Sequence, residues 1–161
     1  MRTSGAAASK KTTMPWPLWI VIAGMVVAVV LLIALPVAMA VDRSHTEQMI
    51  LNDQPELDPA HLGFAFAAVM VFAIVLHGID AALTLWFGIK AIQGRRWARI
   101  ALTIVLVVLT VGSLFSAAAV PTYLWAVIPG DTAHILMVIA LWVPKSVRDY
   151  FARQSDRSPA S

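Results

Sequence analysis

Residues 16–41 contain no charged side chain in 26 consecutive positions. No other feature restricts this chain so strongly. In hydrocarbon every peptide N–H and C=O must be satisfied within the protein, and a lone segment achieves that as a helix. About 20 helical residues cross a bilayer core. Two other stretches behave alike. Residues 62–89 are apolar except for His77 and Asp80. Residues 100–144 hold one charge, Asp131, and are long enough for two spans and a tight hairpin. The chain is 60% hydrophobic and 13% charged, where a soluble domain has about 25% charged residues. The expected fold is all-α, an integral membrane four-helix bundle.

The basic residues then orient it. Arg2, Lys10 and Lys11 precede the first span. Lys90, Arg95, Arg96 and Arg99 lie between the second and third, and Lys145, Arg148, Arg153 and Arg157 follow the fourth. Eleven of the twelve Lys and Arg residues therefore fall on one side of a four-pass topology, with Arg43 on the other. Cytoplasmic loops collect such residues, so both termini are expected inside. Trp16, Trp19, Trp86, Trp97, Tyr123, Trp125 and Trp142 sit near the proposed interfaces, where amphipathic rings concentrate. The expected layout has a cytoplasmic tail over residues 1–15, a membrane domain over 16–151 and a second cytoplasmic tail over 152–161. The spans are placed at about 16–41, 62–89, 97–119 and 131–150, with an outer loop over 42–61. Ala38-Met39-Ala40 offers a signal-peptidase pattern. The apolar run before it exceeds the 7–15 residues of such a leader, so the first span is expected to be retained.

The fourth span is the hardest to bound. Pro129-Gly130-Asp131-Thr132 interrupts its apolar run. Asp131 or Thr132 would make an N-cap, which starts the helix near Asp131 and carries it past Pro144. A helix that begins near Tyr123 and breaks at Pro129 is the alternative.

Polar groups inside spans face the protein interior or a cavity. His77, Asp80 and Thr84 share one helical face at i, i+3 and i+7. Arg99, Thr103, Thr110 and Ser113 form a stripe on the next helix, which the Gly94-Arg95-Arg96 hairpin makes an antiparallel neighbour. The two stripes are expected to face each other, with Arg99 reaching toward Asp80. One reading is a proton relay or substrate site, since His titrates near neutral pH. The other is a polar pair that locks two helices in register. The second takes precedence, because a conducting site needs a further acidic residue on another span or a helix broken at mid-depth.

Elsewhere the chemistry is sparse. There is no cysteine, which excludes disulfides and thiolate sites. No phosphate loop, nucleotide fingerprint or HExxH motif occurs. Asp42, His45, Glu47, Asp53, Glu56, Asp58 and His61, with His134, could supply metal ligands. Their spacing matches no metal loop, so no metal site is expected. Lys90, Arg95, Arg96, Arg99 and Lys145 would fix topology and attract anionic lipid headgroups. Small residues four apart at Gly24/Ala28, Gly78/Ala82 and Gly112/Ser116 would permit close helix approach.

Two segments resemble small four-pass membrane proteins of actinobacteria. They are the turn Gly94-Arg95-Arg96-Trp97-Ala98-Arg99 and a closing element with Leu141, Trp142, Pro144, Ser146, Tyr150 and Phe151. The resemblance implies a multi-pass protein of the cytoplasmic membrane and carries no reaction. The sequence thus favours a protein with no evident catalytic site, an accessory or assembly partner of an envelope complex. The alternative is an oligomeric proton-coupled transporter or channel built on His77 and Asp80. An intramembrane enzyme ranks last, for want of a nucleophile–base pair. The expected partners are the bilayer with its anionic lipids, and a homo-oligomer or larger membrane complex. No cofactor and no nucleic acid are expected.

Overall fold

The computed structural model describes residues 13–155, so the expectations for the outermost tail residues lie outside it. Among the described residues every regular element is helical. These are α1 (Pro17–Val41), α2 (Arg43–Asp53), α3 (Leu62–Ile92), α4 (Arg96–Ala119), α5 (Leu124–Trp142) and α6 (Lys145–Ser155). Short 3-10 turns at Pro59–His61 and Pro121–Tyr123 lead into α3 and α5. Four segments are long and apolar enough to cross a membrane: Pro17–Val41, Pro59–Ile92, Arg96–Ala118 and Pro121–Trp142.

The four long helices form a ring in which α1 touches α3 and α5, and α4 touches the same two. The α3–α4 hairpin turns on Gly94, whose φ of 84° lies in the left-handed region. Gly94 N–H bonds to Ala91 O at 2.8 Å, and Arg95 N–H to Lys90 O at 3.2 Å. This pair of bonds is a Schellman cap, which calls for glycine at that position. Close approach holds α1 to α5. A side chain at Gly24 would strike Met137, and one at Gly88 on α3 would strike Met25 of α1. Gly78 and Gly112 have open space where a Cβ would be, so only one of the three expected small-residue pairs marks a tight contact.

The core lies toward the end of the bundle that carries the hairpin. Leu18, Val21 and Met25 of α1 meet Ala98, Leu102 and Leu106 of α4 and Met137 and Leu141 of α5 there. Val147, Tyr150 and Phe151 of α6 complete it. The outward faces are apolar, with Val71, Ile79 and Trp86 on α3 and Ile104, Val111 and Phe115 on α4 all exposed. In the most apolar window of α3 only 6% of residues are buried.

Three expectations need correction. Residues 42–61 are not simply a loop, because α2 occupies their first half. The Asp42 side chain caps α2 by accepting from His45 N–H. Arg43 and Glu47 pair one turn apart at 2.6 Å, and Asp58 accepts from Ala60 N–H at 2.8 Å. Asp42 and Asp58 thus serve local backbone structure while Glu47 pairs with Arg43, and among the described residues no group of three His, Asp or Glu side chains could hold a metal ion.

The fourth long helix starts at Leu124, seven residues before Asp131, and runs unbroken through Pro129. Asp131 does not cap it. Its carboxylate is committed to another helix, as described below. Pro129 falls in the second helical turn and removes a single N–H. Such prolines are tolerated in apolar helices whose neighbours support them.

The same helix ends at Trp142 instead of passing Pro144. Pro144 has no N–H to continue it. Its carbonyl instead accepts from Val147 and Arg148, at 3.1 and 3.2 Å, to begin α6.

Candidate functional site

α1, α3, α4 and α5 line a half-open cavity of about 640 Å³. Its walls are mainly apolar, with Leu31, Leu35, Leu76 and Leu109 among them. Two histidines and two aspartates line it: His77 and Asp80 from α3, and Asp131 and His134 from α5. Each couple is spaced by three residues, so both members stand on one helical face. His77 lies about 22 Å along the axis from the end of α3 at Ile92, and His134 about 12 Å from the end of α5, at 1.5 Å per residue.

The α5 couple is tied to α4. Ser113 Oγ donates to Asp131 Oδ1 at 2.6 Å. That distance belongs to the short range of hydroxyl–carboxylate bonds. Thr110 Oγ1 and His134 Nδ1 are hydrogen bonded at 3.1 Å. His134 Nδ1 lies 3.8 Å from Asp131 Oδ1. Both residues are buried, each 9% exposed. The second carboxylate oxygen, Asp131 Oδ2, is buried with no hydrogen-bond partner among the described residues.

The α3 couple is looser. Among the described residues no hydrogen bond reaches His77 Nδ1, although it is buried. Asp80 and His77 are half-buried on the cavity wall. Thr84 is separated from them. It is fully buried away from the cavity, and its hydroxyl has no partner among the described residues.

The expected match between the α3 and α4 stripes is therefore not what forms. Thr110 and Ser113 bond to α5. Thr103 accepts from Trp142 Nε1 at 2.9 Å, and its own hydroxyl donates to Arg99 O at 2.9 Å. Arg99 does not reach Asp80. Its guanidinium lies 3.7 Å from the Trp142 ring centroid and 5.0 Å from that of Phe151. An arginine over an aromatic face is held by the ring's negative charge density.

Arg99 thus belongs to a second cluster, at the hairpin end. Arg96 Nε donates to Phe151 O at 3.4 Å, and Tyr150 OH donates to Ile92 O at 2.7 Å. The Gly94–Arg99 turn and the Leu141–Phe151 element, which carry the resemblance noted above, are clasped together in space. Lys90 is half-buried in the last turn of α3, and Arg95 and Lys145 are exposed. All three stand at this same end of the bundle.

Asp131 and His134 are absent from the site read in the sequence, where Asp131 stands as a helix cap and His134 beside the outer-loop carboxylates. The available signal was their D-x-x-H spacing, which mirrors the H-x-x-D of His77 and Asp80. Taking Asp131 for a helix cap hid it. No family profile, curated protein or solved structure matches the chain.

Proposed function

We propose that the chain is a multi-pass protein of the cytoplasmic membrane, with both termini inside, and that its central cavity is the binding centre of a small proton-coupled carrier. The observation that carries this is the meeting of two His–Asp couples, from α3 and α5, on one cavity. The second acidic residue on another helix is the feature a proton-linked pathway needs. Its presence reverses the order suggested by sequence, which put an accessory or assembly role first.

The membrane assignment rests on the four apolar segments and on their bare apolar flanks. Soluble monomers rarely expose contiguous apolar surface beyond a few hundred Å². The inside orientation rests on the charge bias. Lys90, Arg95 and Lys145 then meet anionic headgroups, while Arg96 and Arg99 serve chiefly to clasp α6. The likeness to small four-pass actinobacterial proteins is read as a shared clasp, since the matching residues hold the hairpin to α6.

The reading is tested in proteoliposomes that enclose a pH-sensitive dye. A panel of organic cations, anions and neutral solutes is added on one side. A carrier gives proton flux with at least one class, and Asp80→Asn and Asp131→Asn abolish it. Proton flux at the protein-free rate with every class would overturn the reading.

A further inference from the structure

We infer that the cavity takes an organic cation with an apolar body, such as a protonated lipophilic amine. The inference rests on reading the cavity as a binding centre, and it names the class of ligand.

The walls decide the class. Two carboxylates, Asp80 and Asp131, line the cavity, and no Lys or Arg is among its lining residues. The rest of the lining is mainly Leu, Val, Ala, Met and Phe, with hydroxyls from Ser113, Ser116 and Tyr123. Anions would meet two like charges in an apolar surrounding, where charge interactions are poorly screened. A neutral apolar molecule would offer neither carboxylate a counter-charge. A cation with an apolar body satisfies both halves of the wall.

Asp131 adds an independent observation. It is 9% exposed, and only one of its oxygens is engaged. Ser113 holds Oδ1 at 2.6 Å, while Oδ2 has no partner among the described residues. Buried acceptors are almost always bonded. Oδ2 is free to face a positive charge. The volume of about 640 Å³ falls within the range of about 300–1,000 Å³ that holds drug-sized molecules.

The test is equilibrium binding of tetraphenylphosphonium to the purified full chain in detergent, against tetraphenylborate as a probe of matching size and opposite charge. Saturable binding of the cation alone is expected. Asp131→Asn should weaken it by about tenfold or more, and Asp149→Asn, on the exposed face of α6, should not. Gly112→Leu provides a variant that keeps the charges. Gly112 lines the cavity, is exposed, and has no atom within 4 Å of a Cβ position, so the added side chain narrows the cavity mouth without striking a neighbour. It should weaken binding while leaving the unfolding temperature intact. Equal binding of both probes, or of the anion alone, would overturn the cation class while leaving a binding centre. Undiminished cation binding in a folded Asp131→Asn or Gly112→Leu protein would also overturn it. Cation binding without proton flux would remove the carrier reading and leave the site.

Discussion

Ser113 on α4 and Asp131 on α5 are joined by a 2.6 Å hydrogen bond inside a mainly apolar bundle. Asp131 would be a costly group to bury alone. Ser113 supplies the sole hydrogen bond to its carboxylate among the described residues, so the two side chains form a unit. Removing Ser113 strands the carboxylate, whereas Ser113 keeps a bond to Thr110 O at 2.9 Å when Asp131 is lost. Ser113→Ala should lower stability by about 1–3 kcal/mol, read as a lower unfolding temperature in detergent. Ser113→Ala combined with Asp131→Asn should recover part of the loss, because a neutral amide is cheaper to leave unbonded than a carboxylate. A double variant less stable than Ser113→Ala alone would show that the pair does not behave as a unit.

How much of this was readable in the sequence depends on which force sets each feature. Hydropathy located the four long segments, because burial of apolar residues is a local property of composition. Glycine at 94 signalled the hairpin for the same reason, since backbone geometry is local. The face of α4 toward which its polar stripe turns is not local. Thr103, Thr110 and Ser113 were recognised as one stripe, and adjacency in sequence assigned them to α3. In the ring, α4 also packs on α5, and the polar groups of α5 were the ones at bonding distance. Asp131 illustrates the point most sharply. After Pro129-Gly130 an aspartate fits a helix start, and nothing short of the tertiary contact with Ser113 distinguishes the two roles. The restart at Lys145 was signalled by Pro144, although the run of apolar residues before it argued for continuity.

The hairpin-end clasp predicts a graded response at Trp142. The indole N–H bonds to Thr103 at 2.9 Å, while the ring supports the Arg99 guanidinium at 3.7 Å. Trp142→Phe removes the bond and keeps a ring, and should cost about 1 kcal/mol. Trp142→Ala also removes the ring contact, worth about 0.5–2 kcal/mol more. Both variants should bind the cavity probe as the wild type does, because neither Trp142 nor Arg99 lines the cavity. Unfolding midpoints in detergent and probe affinity, measured side by side, check both halves.

Glycine substitutions should separate close helix contacts from chance spacing. At Gly24 a Cβ would meet Met137 Cγ and Sδ, with Ala133 O 3.6 Å away behind them. The Cγ is near the stem of that side chain, so α1 and α5 must move apart. Gly24→Ala should therefore lose about 1–3 kcal/mol. Gly78→Ala meets open space and should be neutral or gain up to about 1 kcal/mol from helix propensity. Unfolding midpoints of the two variants would be compared, and equal shifts in the same direction would contradict the packing described for α1 and α5.

The chain has no cysteine, so single introduced thiols can report its orientation directly. Gln54 follows α2 at one end of the bundle, and Gln93 sits in the hairpin at the other. Both are exposed. The proposed topology puts Gln54 outside, because the basic residues gather around Gln93 and α6. Gln54→Cys should react with a membrane-impermeant maleimide in intact cells. Gln93→Cys should react only after the membrane is opened. The reverse pattern would invert the topology while leaving the fold unchanged, and it would move the hairpin clasp and its exposed Arg95 and Lys145 to the outer surface. Labelling of both positions in intact cells would show that the two ends are not separated by a membrane, and the multi-pass reading would fall with it.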